Sequence, residues 1–562
     1  MTPDPTSPAM VHFRFNDRPL TARANTSIAA ALTELGIRAQ RQTPSGAERG
    51  MFCGMGVCQE CLVVVDGNPS QRACMTPLSE GMDIRTQPAL APVRQSEAGP
   101  ADAAPTARKL APDVLVVGGG AGGLAAAATA ARAGAKVILL DERKVSGGQY
   151  FKQPAAGLGA LDAQQADGHA LLTEARSAGV EIISEAEIWG AFDGLLVMAQ
   201  QRETALVIRP RQLIVATGAY ERPVMVPGWT LPGVMTTGAA QTLWRSYRAL
   251  AGKRIAVCGS GPLNSQVARE LAMGGAEVLM VAESAPAPWM RPIDAARLAL
   301  HDPLLAAKGM AMLAALHRKN VPVRFATRLT RVEQAADGGL MAHFAQGRKE
   351  TIVTVDAVCM NAGFDPQNEI PRLLGAQMLY DPEFGHLRTQ RDPQMRTTVP
   401  GLWVVGDCAG LGGAPAALVE GQIAGRAAAA AAGFGCDYDN FLQAHALKRH
   451  RRFQKALWRV YAPLPDLPTD PATIICRCEN ISLAEIQSGM TDAAHIGTMK
   501  RATRAGMGRC QGRYCSPVAV RLMAQATGQK PGDTSFFAPR VPIKPVSIRA
   551  IMSAEEVLNE TD

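Results

Sequence analysis

The run VLVVGGGAGGLAAAA, Val114 to Ala128, sets four apolar residues against a glycine cluster and then an alanine-rich stretch. Four aliphatic residues in a row suit a strand buried on both faces. Gly118, Gly120 and Gly123 follow with the spacing G-x-G-x-x-G. The three serve different ends: a tight turn, close approach of a pyrophosphate, and tight packing of the next helix on the strand. That helix begins with free amides and the positive end of its dipole aimed at the phosphates. Alone, the spacing is a weak signal. Here the context completes it, because a second apolar run, Lys136–Leu140, ends in Asp141 and Glu142 about twenty residues on. Asp141 stands where a ribose hydroxyl is held, and Gly147, Gly148 and Gln149 come next. The stretch predicts a doubly wound α/β unit that binds a dinucleotide.

A second unit of the same kind follows. Ile255–Cys258 is an apolar run ending in Gly259 and Gly261, with Asn264 in place of the third glycine. The next apolar run, Glu277–Ala282, ends in Glu283, an acid that favours NAD over NADP. The missing glycine argues for a retained fold without a ligand, so the sequence leaves NAD(P) binding open. Two further strands end in polar residues: LIVATG (213–218) in Thr217 and Gly218, and LWVVGD (402–407) in Asp407. Asp407 precedes Gly412, Gly413 and Ala414, so a strand hands an acid to a helix start. That arrangement suits a ribityl hydroxyl and the edge of a flavin ring. No C-x2-C lies in this region, which excludes a thioredoxin-reductase-type dithiol, and no G-x-S-x-G nucleophile motif is present.

Eight of the 12 cysteines fall in two groups, while Cys258, Cys359, Cys408 and Cys436 are scattered. In MFCGMGVCQEC (51–61), Cys53, Cys58 and Cys61 have C-x4-C-x2-C spacing, with Cys74 further on. This is the plant-type spacing of a 2Fe–2S cluster, four thiolates around two irons. Gly54 and Gly56 let backbone amides approach the sulfurs. Zinc, the competing occupant, more often takes two C-x2-C-type pairs. The second group is Cys476 and Cys478 in CRC, then Cys510 and Cys515 in GRCQGRYC. Arg477, Lys500, Arg501, Arg504, Arg509 and Arg513 crowd it and would offset the negative charge of a tetrathiolate cluster. Zinc is the competing reading here too.

Composition bounds the rest. A chain of 562 residues, 47% hydrophobic and 19% charged, is an ordinary globular length for several domains. No apolar run nears the ~18 residues of a membrane span. MTPDPTSPAM has neither the basic start nor the apolar core of a secretory signal, so a cytoplasmic chain with metal-bound rather than disulfide-bonded thiols is expected. The 58 basic and 50 acidic residues leave a diffuse charge of +8, which does not point to nucleic acid.

The expected domain map has six parts. Residues 1–88 form a small module: Val11–Phe15 as a strand, a turn at Asn16-Asp17, a return over Pro19–Arg23, and a helix capped by Asn25 or Thr26 and ended by Gly36. Residues 89–111 are a Pro/Ala-rich linker. Residues 112–250 with 351–435, and 251–350, make the two nucleotide units. Residues 436–472 are a helix and linker containing KRHRRFQKALWR (448–459), read as a solvated amphipathic helix or, alternatively, a docking face for an acidic partner. Residues 473–562 hold the second cysteine group.

With these motifs in place, the chain resembles a known arrangement. VVGGGAGG, ATGAYERP (216–223), PGV (232–234) and VVGDCAG (404–410) match the two-dinucleotide-binding flavoproteins. TGAYERP, GSGPLN and GRCQGRYC resemble one branch, the α subunits of heteromeric amine and amino-acid dehydrogenases such as hydrogen cyanide synthase, opine oxidase, hydroxyproline dehydrogenase and sarcosine oxidase. The N-terminal module resembles their small 2Fe–2S subunit, here fused. The C-terminus is similar to the bacterioferritin-associated-ferredoxin domain, although its last pair is C-x4-C rather than C-x2-C. The resemblance implies an α/β fold: a glutathione-reductase-like, two-dinucleotide-binding flavoprotein core, an N-terminal β-grasp ferredoxin domain and a small helical C-terminal 2Fe–2S domain. It implies FAD at Gly118, Gly120, Gly123, Asp141, Gly148, Thr217, Gly218 and Asp407, with Glu142 and Gln149 beside them, and two 2Fe–2S clusters on the two cysteine groups. It admits an FMN at an interface between subunits, as in some relatives. It further implies a D-amino-acid-oxidase-type FAD β subunit that oxidises the amine, and an external electron acceptor. Nothing in this chain reads as a general base for a substrate. The competing functions are a stand-alone NAD(P)H-dependent reductase feeding an oxygenase, and a non-enzymatic iron- or redox-sensing module.

Overall fold

The computed structural model describes residues 9–90, 107–435, 440–461, 466–491, 493 and 495–559. Most of the expected linker, all of 462–465, and Cys436 lie outside these residues. The strand Val114–Val117 is central in a five-stranded sheet, as its unbroken apolar character requires. The order runs Glu181–Ser184, Val137–Asp141, Val114–Val117, Gln212–Val215, Leu402–Val404, and all neighbours are parallel. The helices Ala121–Arg132 and Ala414–Ala431 lie on it and pack closely on each other. Small residues allow this: a Cβ on Gly421 would stand 2.2 Å from the Gly122 carbonyl.

A second parallel sheet repeats the plan in the order Val234–Thr236, Ala357–Asn361, Arg254–Gly259, Glu277–Glu283, Val323–Arg324. Its limits differ from the expected 251–350. The strand Val234–Thr236, the helix Thr237–Tyr247 and the strand Ala357–Asn361 all join this unit. Hydrogen bonding decides the matter, since Met235 pairs with Cys359 while Val257 pairs with that same residue from the other side.

The N-terminal module is a mixed sheet ordered Arg18–Arg23, Met10–Phe15, Asp83–Thr86, Leu62–Val65, Asn68–Arg72, with the helix Ile28–Glu34 packed into its core. Asn16 and Asp17 both take positive φ, the geometry of a tight hairpin turn. The helix cap is Ser27, one or two residues later than expected. Its hydroxyl accepts from Ala30 N at 3.2 Å and satisfies a free amide of the first turn.

Two more segments depart from the expected map. Ala107–Leu110, inside the expected linker, is a strand that pairs in parallel with Thr204–Ile208. The helix Ile548–Asn559 leaves the C-terminal domain and docks on the same small sheet, against Trp189, Met198 and Val207. Among the described residues, no helix is long and apolar enough to cross a membrane.

Candidate functional site

The strand order of the first sheet reverses between Val114–Val117 and Gln212–Val215, and ligands of such sheets bind in the crevice beyond the strand ends there. Gly118 turns the chain with φ +104°, and a Cβ at Gly123 would lie 1.8 Å from the Gly118 carbonyl, so the loop and helix tolerate only glycine at that approach. Gly120 caps the helix Ala121–Arg132 without any side-chain bond, leaving the first-turn amides open to an anion. Asp141 is buried; one oxygen accepts from Arg143 N at 3.0 Å and the other has no partner. Burial pushes its pKa up. A buried orphan acceptor beside free amides fits a ribose hydroxyl next to a pyrophosphate. Glu142 is engaged elsewhere: one of its oxygens meets the Lys544 ammonium, which burial lowers to about 7.

At the far end of the crevice, Thr217 Oγ1 donates to Gln367 O at 2.6 Å and Gly218 has φ +77°. Asp407 Oδ1 accepts from the Gly412 and Gly413 amides at 2.9 and 2.8 Å, which fixes the acid beside the start of the helix Ala414–Ala431. Gly148 also has positive φ, and Gln149 accepts from Lys152.

Lys152 escapes a motif search. It is buried, and its ammonium also reaches Gly238 O at 3.2 Å and Thr242 Oγ1 at 3.0 Å. Burial lowers it to about 7. Close by, Glu221 accepts from Gly238 N at 2.8 Å and Asn361 Nδ2 at 2.8 Å. This polar knot joins the crevice of the first sheet to the second unit. Only its place three residues after Gln149 hints at Lys152 in the sequence.

In the second unit, Gly259 and Gly261 take φ +125° and +117°. Asn264 is buried and engaged on both sides: it accepts from Thr237 Oγ1 at 2.8 Å and donates to Asn361 O at 2.9 Å. It serves as an internal brace where the motif has its third glycine. Glu283 bonds its own loop, accepting from Gly261 N at 2.9 Å and Ala285 N at 2.8 Å, and burial pushes it up to about 7. Tyr461 lies in the field of Glu283.

In each group the cysteine thiols meet one another. Burial works to raise Cys53, but contact with the Cys58 thiol and with nearby amides outweighs it and brings Cys53 to about 6. Contact with the Cys61 thiol, together with burial, pushes Cys74 the other way, well up, and all four are buried. In the C-terminal group, Cys478 Sγ lies 3.8 Å from Cys476 Sγ and 3.6 Å from Cys510 Sγ, while Cys476 also contacts Cys515. Among the described residues, no three His, Cys, Asp or Glu side chains gather as a ready single-ion site. Four thiols gathered in each group suit a cluster in which each of two irons takes two thiolates. Amides support the sulfurs: Met55 N lies 3.5 Å from Cys53 Sγ and Gly506 N 3.5 Å from Cys476 Sγ. Cys258 and Cys359 are buried in the second sheet, and burial pushes both thiols up, Cys258 to about 12, so neither is a reactive thiolate.

The basic run 448–459 is part of the helix Phe441–Val460, with Leu447, Ala456 and Trp458 buried. Arg451 donates to Glu420 at 2.9 Å, and Glu420 also accepts from Arg391 and from Gly406 N. One of its cations is thus an internal tie.

Family models agree with this architecture. Residues 112–433 match the pyridine nucleotide-disulphide oxidoreductase model, and the chain belongs to that family. Residues 8–89 match a 2Fe-2S iron-sulfur cluster binding domain, and 472–556 the sarcosine oxidase A3 domain. Among curated relatives, a subunit of the opine oxidase of Rhizobium meliloti (strain 1021) is 31% identical over 456 residues, covering 79% of this chain and 99% of that protein. Hydrogen cyanide synthase subunit HcnB of Pseudomonas aeruginosa is 28% identical, covering 75% of this chain and 94% of that protein. The crystal structure of L-proline dehydrogenase from P. horikoshii covers 98% of each chain with TM-score 0.72 at 20% identity, a likeness of fold. The relatives are those the sequence motifs pointed to, and the chain is a flavin and 2Fe–2S type of oxidoreductase.

Proposed function

We propose that this chain is the electron-transfer subunit of a heteromeric dehydrogenase that oxidises an amine or amino acid, of the opine, glycine, proline or sarcosine kind, in a partner β subunit. The carrying observation is that one chain holds a flavin-type crevice and two cysteine quartets, buried except for the half-buried Cys478. Bound FAD and two 2Fe–2S clusters would supply the step from two-electron to one-electron chemistry. The chain's own residues do the positioning. Gly118, Gly120 and the first-turn amides take the pyrophosphate, Asp141 a ribose hydroxyl and Asp407 the ribityl chain. Cys53, Cys58, Cys61 and Cys74 hold one cluster; Cys476, Cys478, Cys510 and Cys515 hold the other. Phe52, Trp229 and Tyr514, all buried, keep water from between them. Electrons leave to an external acceptor. The partner is of the D-amino-acid-oxidase type with its own FAD, and an FMN at the shared interface belongs to the same reading.

The competing reading is a nicotinamide-driven reductase, favoured by the retained turn at Gly259 and Gly261 and opposed by the self-bonded Glu283. Anaerobic mixing of the purified holoprotein with NADH and then NADPH separates the two. No bleaching of flavin and cluster absorbance is expected. Prompt bleaching would replace the amine reading with the reductase.

A further inference from the structure

The loops that carry the two cysteine quartets also carry the contacts between them. Glu60 immediately precedes Cys61, and Arg477 sits between Cys476 and Cys478. Arg477 Nε donates to Glu60 Oε2 at 3.0 Å, with the two side chains 4% and 1% exposed. Arg41 Nη2 donates to Glu60 Oε1 at 2.7 Å, and Arg49 Nε lies 3.8 Å from Oε2. The Arg477 guanidinium stands 4.3 Å over the Phe52 ring and donates to Trp229 O at 3.0 Å. Phe52, next to Cys53, meets Tyr514, next to Cys515, edge to face at 5.4 Å.

Three guanidiniums on one carboxylate leave a buried surplus of two positive charges. Such a surplus is costly unless an anion lies beside it. Burial and the neighbouring Arg477 already pull Arg49 down to about 10. Arg41 Nε, Arg49 Nε and Arg477 Nη2 are buried without a hydrogen-bond partner. Orphan donors of this kind are rare and mark a missing acceptor. A net-negative tetrathiolate cluster held on each of the two loops would supply that missing negative charge.

We propose that Glu60, Arg477, Arg41 and Arg49 form one counter-charge shared by the two clusters, so that their reduction potentials are set together. This rests on the reading that both quartets hold clusters. The four are positioning residues, since they act through the clusters.

The test is a stepwise anaerobic reduction of the full-length holoprotein, each cluster followed by EPR and assigned with Cys61→Ser and Cys478→Ser. Arg477→Gln removes a positive charge and is expected to lower both potentials. Glu60→Gln removes the negative charge and is expected to raise both. A tenfold change in each one-electron equilibrium, about 59 mV, is the expected size. The double variant is expected to return both toward wild type. A bridge that merely holds the loops together gives no such reversal of sign. Shifts confined to the cluster on the substituted loop, or shifts of one sign in both variants, overturn the proposal. Arg49→Gln, at the looser 3.8 Å contact, serves where a stronger variant fails to hold iron; it is expected to lower both potentials, and no movement in either overturns the proposal. The wild-type iron content separates this inference from its parent. Fewer than four irons per chain sinks the two-cluster reading, whereas four irons with independently responding potentials sinks the shared counter-charge alone.

Discussion

Glu283 is the acid best suited to report on its own surroundings. Burial raises it from an ordinary 4.5 to about 7. A carboxyl that holds its proton more tightly in the folded chain stabilises the fold below pH ~4.5, and that contribution is lost as the pH rises through 7. Across this window the wild type is expected to lose on the order of 3 kcal/mol relative to Glu283→Gln. Denaturant titrations at three pH values check it, and a difference that does not vary with pH refutes it. Gly123 makes a second test. A Cβ there meets the Gly118 carbonyl at 1.8 Å, backbone against backbone, so the loop must open. Gly123→Ala is expected to purify with at least tenfold less bound flavin; full flavin content would show that this loop is not the pyrophosphate cradle. Glycines and cysteines of this kind are legible in a sequence because their chemistry lies in their spacing. Glu60 is not, and Arg477 is legible only as a cation beside its own cysteine group. Each is one charge beside or between cysteines, and nothing local tells that they will meet across 417 positions of chain. Asn264 was legible as a departure, but its role as a brace depends on Thr237 and Asn361, which only the folded chain brings to it.

Among the elements, those with strong apolar periods were readable and those made by tertiary contact were not. Val114–Val117 and Arg254–Gly259 announce themselves. Ala107–Leu110 does not, since two of its four residues are charged and it becomes a strand only by pairing with Thr204–Ile208. The same small sheet explains the helix Ile548–Asn559, whose Ala550 and Ala554 are buried against Trp189 and Met198. Ala554→Glu would place a carboxylate in that contact, and an unpaired buried charge outweighs what a single docked helix gains. The variant is expected to release the helix, seen as faster proteolytic cleavage beyond Lys544 with the cofactor spectrum intact. Unchanged cleavage would mean that the helix is held by other contacts.

For the molecule as a whole, the N-terminal module is bound into the rest of the chain. Arg72 makes a two-pronged bond to Glu187 at 2.9 and 2.8 Å, and Arg49 donates to Asn480 Oδ1 at 2.7 Å. The Trp229 indole donates to Ile474 O at 2.6 Å and ties the core to the C-terminal domain. Both quartets are therefore expected to fail in one thermal step, with the two cluster signals lost at a common midpoint. Separate midpoints would show that the module melts by itself. The burial of Cys53, Cys58, Cys61 and Cys74 has a consequence for how such a module can be used. A mobile carrier must present the edge of its redox centre to each client in turn. Here Phe52, next to Cys53, is packed against Tyr514, Arg477 and Trp229 of the same polypeptide. On the function proposed above, the module would serve as a fixed relay rather than a shuttle: electrons on its cluster would be handed on inside the molecule, and an acceptor would dock on another surface.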